Sequence, residues 1–200
     1  MKLTLVQHAV LLGSIVFMLW LIEGVDRLWL GGGLDYYGIR PRTVIGLRNI
    51  MLSPFLHAGF GHLLANTLPF LLLGWFVMLR STREFFLVTL IVTVVSGVGV
   101  WLFGAGNSVH IGISGVIFGY LGYLLFRGYL ERSVVGIALA LLAIFFYGGM
   151  IFGVLPFQAG ISWLGHLFGF LGGILAARIV LQQNGHRRDK AEVTQEWHGP

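Results

Sequence analysis

Apolar positions in this chain gather into long runs separated by short polar stretches. Six runs stand out, at roughly 5–22, 62–79, 85–103, 114–126, 134–152 and 162–181. A helix crossing a bilayer needs about 20 mostly apolar residues, with shorter stretches tolerated inside a compact bundle. The pattern therefore predicts an all-α membrane protein of six spans, the fourth of them short. The first run has the position of a signal peptide but lacks a small-residue cleavage site. It continues into Glu23-Gly24-Val25-Asp26-Arg27, so it reads as a retained span. Residues 1–181 form one membrane domain without an internal repeat, and 182–200 form a polar tail expected to be disordered.

Composition agrees: 56% of the 200 residues are hydrophobic and 10% charged, where an ordinary soluble domain has about 25% charged residues. The net charge of +5 suits anionic lipid headgroups better than nucleic acid, because the basic residues sit between apolar runs and in the tail. The absence of Cys excludes disulfides, thiol catalysis and thiolate metal sites. Arg80 and Arg83 lie between spans two and three, and Arg127 and Arg132 between spans four and five. Lys2 precedes span one, and Arg187, Arg188 and Lys190 follow span six. The loops 104–113 and 153–161 carry no Lys or Arg, so the charge asymmetry places both termini in the cytoplasm. The first loop is the exception, with Arg40, Arg42 and Arg48, but long loops obey the charge rule less strictly. Residues 28–54 also hold Trp29, Tyr36, Tyr37 and Gly31-Gly32-Gly33. That mixture fits a hairpin lying in the membrane interface, or an ordinary connecting loop with aromatic anchors.

Polar side chains at membrane depth are expensive and usually functional. Ser114 opens the fourth run and His166 lies inside the sixth; a hydroxyl and an imidazole are the minimum parts for nucleophilic acyl transfer. Taken alone, Ser114 is equally a helix cap. Gly112 and Gly115 flank it and let the backbone turn and approach a ligand closely. Gly115, Gly119 and Gly122 run along span four, and Gly165, Gly169 and Gly173 run around His166 in span six. Small residues at that spacing let membrane helices pack closely, which would bring the serine and the histidine within hydrogen-bond reach. His62 and Asn66 are four apart and share one helix face, either as a functional pair or as interhelical glue. His57 reads as a structural residue that caps or orients the loop before span two. His110 reads as a solvated surface residue.

Three segments taken in order resemble the rhomboid family of intramembrane serine proteases: His62-Leu63-Leu64-Ala65-Asn66, Gly112-Ile113-Ser114-Gly115, and Gly165-His166-Leu167-Phe168-Gly169. The run from Ser53 to His62 looks like the family's approach to its second span. The resemblance implies a six-transmembrane-helix rhomboid-like bundle with a membrane-interface hairpin loop between helices 1 and 2. It implies Ser114 as nucleophile and His166 as general base, a dyad without a carboxylate. The backbone N–H of Ser114 with the side chains of His62 and Asn66 would form the oxyanion hole. The fifth span and the 153–161 loop would gate and cap lateral substrate access. The substrates would be transmembrane proteins, cut in or near their membrane segment, and the setting a bacterial inner membrane.

Two positions depart from the family pattern. The Trp-Arg pair common in the first loop is Leu47-Arg48, and Phe118 stands where several relatives have Tyr. Phe118 is still able to stack on His166 but donates no hydrogen bond. Other classes fit less well. No Asp or Glu reads as buried, since Glu23 and Glu84 fall at span ends; this argues against a transporter or an aspartyl protease. No His-Glu-x-x-His occurs, so a zinc protease is excluded, and no cofactor or metal is expected. The rival reading is a catalytically inactive rhomboid-fold protein that binds transmembrane clients.

Overall fold

A capping box starts the first helix, α1 (Leu5–Trp29): the Thr4 hydroxyl accepts from the Gln7 N–H, and the Gln7 side chain accepts from the Thr4 N–H. The computed structural model describes the backbone of residues 4–156 and 162–197, and the side chains of those up to 184. Lys2, part of the 153–161 loop, and the side chains of Arg187, Arg188 and Lys190 lie outside the described residues.

The α1 helix runs two turns past the end expected from hydropathy, and Glu23 and Asp26 are buried. This corrects the expectation that no acid is buried. Each acid has a partner that makes burial tolerable. Arg27 bonds Glu23 and Asp35, both at 2.8 Å, and Asp26 Oδ1 accepts the Leu34 N–H at 2.8 Å. The loop that follows holds the short helix α2 (Val44–Arg48), capped by Thr43, and several 3-10 turns. Val44, Ile45, Leu47 and Met51 point outward, giving the loop the apolar face that an interface hairpin needs. It is fastened inward by an antiparallel bridge between Ile39 and His110, and by the Trp101 indole N–H on the Thr43 carbonyl at 2.7 Å.

The remaining helices are α3 (Phe60–Arg80), α4 (Thr82–Phe103), α5 (Ser114–Glu131), α6 (Val134–Tyr147) and α7 (Trp163–Trp197). Among the described residues, five helical stretches are long and apolar enough to cross a membrane: α1, α3, α4, α6 together with the 3-10 segment Gly148–Val154, and α7 as far as Asn184. The sixth member of the expected set is α5. Every residue from Gly115 to Leu124 is buried, against α3, α4, α6 and α7, so this helix meets protein where the others meet lipid. Its close fit to α7 depends on glycine: a Cβ on Gly169 would strike the Gly115 backbone, and one on Gly173 the Gly119 carbonyl. Lipid gives no hydrophobic drive to helix association, so such van der Waals contact is what holds the pair.

Arg127, expected in a loop, is buried in the last turns of α5. It pairs with Glu84 of α4 and with Glu131 at 2.9 Å, while Arg80 of α3 also pairs with Glu131. The Tyr123 hydroxyl donates to Glu84 at 2.8 Å. The helix therefore continues until Glu131 completes the network, and Arg132 ends it in the left-handed region. The α7 backbone likewise continues beyond Leu181, through a stretch rich in Gln, Arg, Lys, Ala and Glu, which are good helix formers.

Candidate active site

Ser114 is the first residue of α5, placed there by a turn at Gly112, whose φ of +112° suits glycine. A side chain at 112 would also meet the His62 ring, with a Cβ 2.8 Å from Cε1. The turn is anchored from both sides. The Gly112 N–H donates to the Ser53 carbonyl at 2.9 Å, and the Ile113 N–H donates to His57 Nε2 at 3.4 Å. His57 is 1% exposed, and its carbonyl accepts from Arg27 at 3.0 Å, so it orients the loop as its position suggested. Burial, and secondarily the neighbouring His62, push its pKa down from the usual 6.5 to about 3, so the ring is neutral.

His166 sits one turn into α7, facing the start of α5 across the glycine contact. Its Nε2 lies 2.9 Å from Ser114 Oγ, and its Nδ1 lies 2.9 Å from the Gly153 carbonyl. A carbonyl only accepts, so Nδ1 carries the proton and Nε2 is left to accept the serine O–H. Phe118, one turn along α5, stacks on the imidazole with ring centres 4.0 Å apart and planes 7° apart. A hydroxyl bonded to an imidazole whose tautomer is fixed by a third group is the arrangement that activates a nucleophile.

These groups line a cavity of about 730 Å³ together with His62, Asn66 and Asp35. His62 Nδ1 accepts the Ala58 N–H at 3.3 Å, which leaves a proton on Nε2. Asn66 Nδ2 is buried and has no hydrogen-bond partner. As first residue of α5, Ser114 also has a backbone N–H that the helix leaves without an internal acceptor. Three donors thus line the cavity that holds the serine, which sits at the positive end of a helix dipole.

Several contributors carried no sequence signal. Gly153 acts through a backbone carbonyl. Ser96 of α4 donates its hydroxyl to the Gly165 carbonyl at 2.8 Å and ties α4 to α7 beside His166. His110 is half-buried, with ring nitrogens bonded to Ser108 and Ser162, each at 2.7 Å. It is therefore not the solvated residue expected. No group of three or more His, Cys, Asp and Glu suited to a metal occurs among the described residues.

The Rhomboid domain matches residues 46–183 of the chain. An uncharacterized Mycobacterium tuberculosis protein is 39% identical over 175 residues, covering 84% of this chain and 72% of its own. An uncharacterized Mycobacterium leprae protein is 39% identical over 171 residues, covering 82% and 67%. YdcA of Bacillus subtilis, provisionally named a rhomboid protease, is 30% identical over 146 residues, covering 68% and 69%.

Proposed function

The chain belongs to the rhomboid family, and from that premise we propose that it is an intramembrane serine protease working through Ser114 and His166. The observation that carries this reading is the 2.9 Å contact between Ser114 Oγ and His166 Nε2, with the ring's other nitrogen held by Gly153. Ser114 Oγ attacks the scissile carbonyl carbon while its proton passes to His166 Nε2. The oxyanion draws on the Ser114 N–H and on His62 Nε2 and Asn66 Nδ2. Removing one such donor typically lowers the rate about 10²–10³-fold, because preorganised dipoles act strongly where water is excluded. Collapse breaks the C–N bond, and His166 returns the proton to the leaving amine. Water, deprotonated by His166, then hydrolyses the ester on Ser114.

The substrate is the membrane segment of another protein, which reaches the cavity laterally past α6 and the 3-10 segment Gly148–Val154 that follows it. Both termini lie in the cytoplasm of a bacterial inner membrane, and the cleaved fragment leaves on the other side. No cofactor is required. The test is labelling of the purified protein with a fluorophosphonate, which reacts only with an activated serine. Labelling that is lost in both Ser114→Ala and His166→Ala supports the dyad. A folded wild type that never labels favours a client-binding protein without activity.

A further inference from the structure

His110 precedes Ser114 by four residues, lines the same cavity as the dyad, and its hydrogen bonds lead to His166. The Ser108 hydroxyl donates to the Ala105 carbonyl at 2.6 Å, so toward His110 Nε2, at 2.7 Å, its oxygen is the acceptor. Nε2 therefore carries the proton. Burial lowers the pKa of this ring and keeps it neutral, so Nδ1 is an acceptor. Among the described residues, the proton that reaches it is that of the Ser162 hydroxyl, at 2.7 Å. Ser162 directly precedes α7 and caps it. Its oxygen accepts the Gly165 N–H at 3.3 Å, and its carbonyl accepts the His166 N–H at 3.1 Å. The main chain of His110 is itself fixed by two hydrogen bonds to Ile39, at 2.9 and 3.0 Å. A continuous path thus runs from the first loop, through the histidine and the cap, to the residue that bonds Ser114.

We propose that His110 is a positioning residue: by orienting the Ser162 hydroxyl it fixes the cap of α7 and hence the placement of His166 against Ser114. The proposal rests on the protease reading. The cap serine alone would tolerate several hydroxyl directions; the imidazole selects the one that leaves the oxygen's lone pairs facing the helix.

The test compares fluorophosphonate inactivation of wild type, His110→Ala, His110→Asn and His110→Gln, separating maximal rate from probe affinity, with thermal unfolding to verify that each is folded. His110→Ala should lower the maximal rate about 10- to 100-fold with affinity unchanged, since misplacing a catalytic group by 1 Å costs up to about 10²-fold. His110→Asn, whose Oδ1 stands where Nδ1 stood, should recover most of the loss. His110→Gln, whose amide stands where Nε2 stood, should not. A wild-type rate in His110→Ala, or rescue by Gln and not by Asn, overturns the proposal. A wild type that never labels would overturn the protease reading, and a second measurement then decides the hydrogen-bond path by itself. That measurement is the ¹⁵N spectrum of the His110 ring in the full chain in detergent. An unprotonated Nδ1 whose signal moves in Ser162→Ala supports the path, and a ring protonated at Nδ1 overturns it.

Discussion

Replacing Gly169 by Ala tests whether the glycine contact sets the catalytic distance. A Cβ there would lie 2.9 Å from the carbonyl carbon of Gly115 and 3.1 Å from its Cα, and closer still to the carbonyl oxygen. Ordinary carbon contacts are about 3.5–4.0 Å. Both partners are backbone atoms of helices, so no side chain can swing aside, and the helices must part by roughly 1 Å at this crossing. Gly115 is the next residue after Ser114, and Gly169 is three after His166. The 2.9 Å bond between Ser114 and His166 would then exceed hydrogen-bond range. We expect a loss of about 10²-fold in fluorophosphonate labelling rate and about 1–3 kcal/mol in stability from overpacking. Gly173→Ala is the matched control. Its Cβ would meet the Gly119 carbonyl and would lie 2.7 Å from the Tyr123 nitrogen. The overpacking is similar, but Gly173 lies about 10 Å along the helix from His166. It should lose comparable stability and much less rate. A wild-type labelling rate in Gly169→Ala, or a larger rate loss in Gly173→Ala, would refute the reasoning.

Phe118→Leu removes a ring stacked at 4.0 Å on His166; stacking of this kind contributes about 0.5–1.5 kcal/mol. Labelling should slow about 2- to 10-fold, while Phe118→Tyr keeps the rate; equal rates for Leu and Phe would show that the ring does not orient the base. Asn66→Ala should slow turnover of a transmembrane substrate about 10²–10³-fold with binding little changed, and full activity would remove Asn66 from the oxyanion hole. His57, held neutral with a pKa near 3 against 6.5 when exposed, gives a pH dependence. Between those values the unfolded chain binds the extra proton, so stability is full above pH ~6.5 and falls below it, by up to about 1.4 kcal/mol per pH unit. Thermal unfolding in detergent at pH 7.5, 6 and 5 should show this decline, and His57→Gln should flatten it; an unchanged slope in that variant assigns the decline elsewhere.

The site was legible in the sequence to the extent that its parts are rare where they occur. A serine, two histidines and an asparagine within apolar runs attract notice because each is costly there, and glycines at four-residue spacing announce a backbone contact because only a missing side chain permits one. What stayed hidden had its partner far along the chain. Hydropathy treats Arg127 as a loop residue, since it assigns each charge its own penalty; Glu84, 43 residues earlier, makes burial possible. Glu23 and Asp26 were misplaced for a related reason: Asp26 takes up the Leu34 N–H of the first loop, and Glu23 holds Arg27 one turn on, which is itself tied to Asp35 and to the His57 carbonyl in a loop whose path no periodicity describes. His110 looked solvated because two serines, one of them 52 residues away, take up its ring nitrogens. The Gly153 contact was out of reach altogether, because a carbonyl oxygen has no residue type.

On the protease reading, that last contact also explains why a dyad would suffice at this depth. A third residue has to hold the Nδ1 proton so that Nε2 faces the serine. A carboxylate would do so and would also stabilise the imidazolium formed during attack, but a buried ion carries a desolvation penalty of several kcal/mol. The Gly153 carbonyl fixes the same tautomer without a net charge. On the protease reading, the trade is weaker support for the charged ring in return for a site that remains stable when empty. It also places the tautomer under the control of the 3-10 segment Gly148–Val154, which joins α6 to the chain leading into α7. A Cβ at 153 would lie 2.8 Å from the Phe118 ring and 3.3 Å from His166 Nδ1, so the segment rests directly on both rings. Phe118 restrains the imidazole plane from one side and Gly153 its rotation from the other. The His166 ring is therefore oriented by the same wall of the cavity that a substrate helix arriving laterally, as proposed, would have to pass.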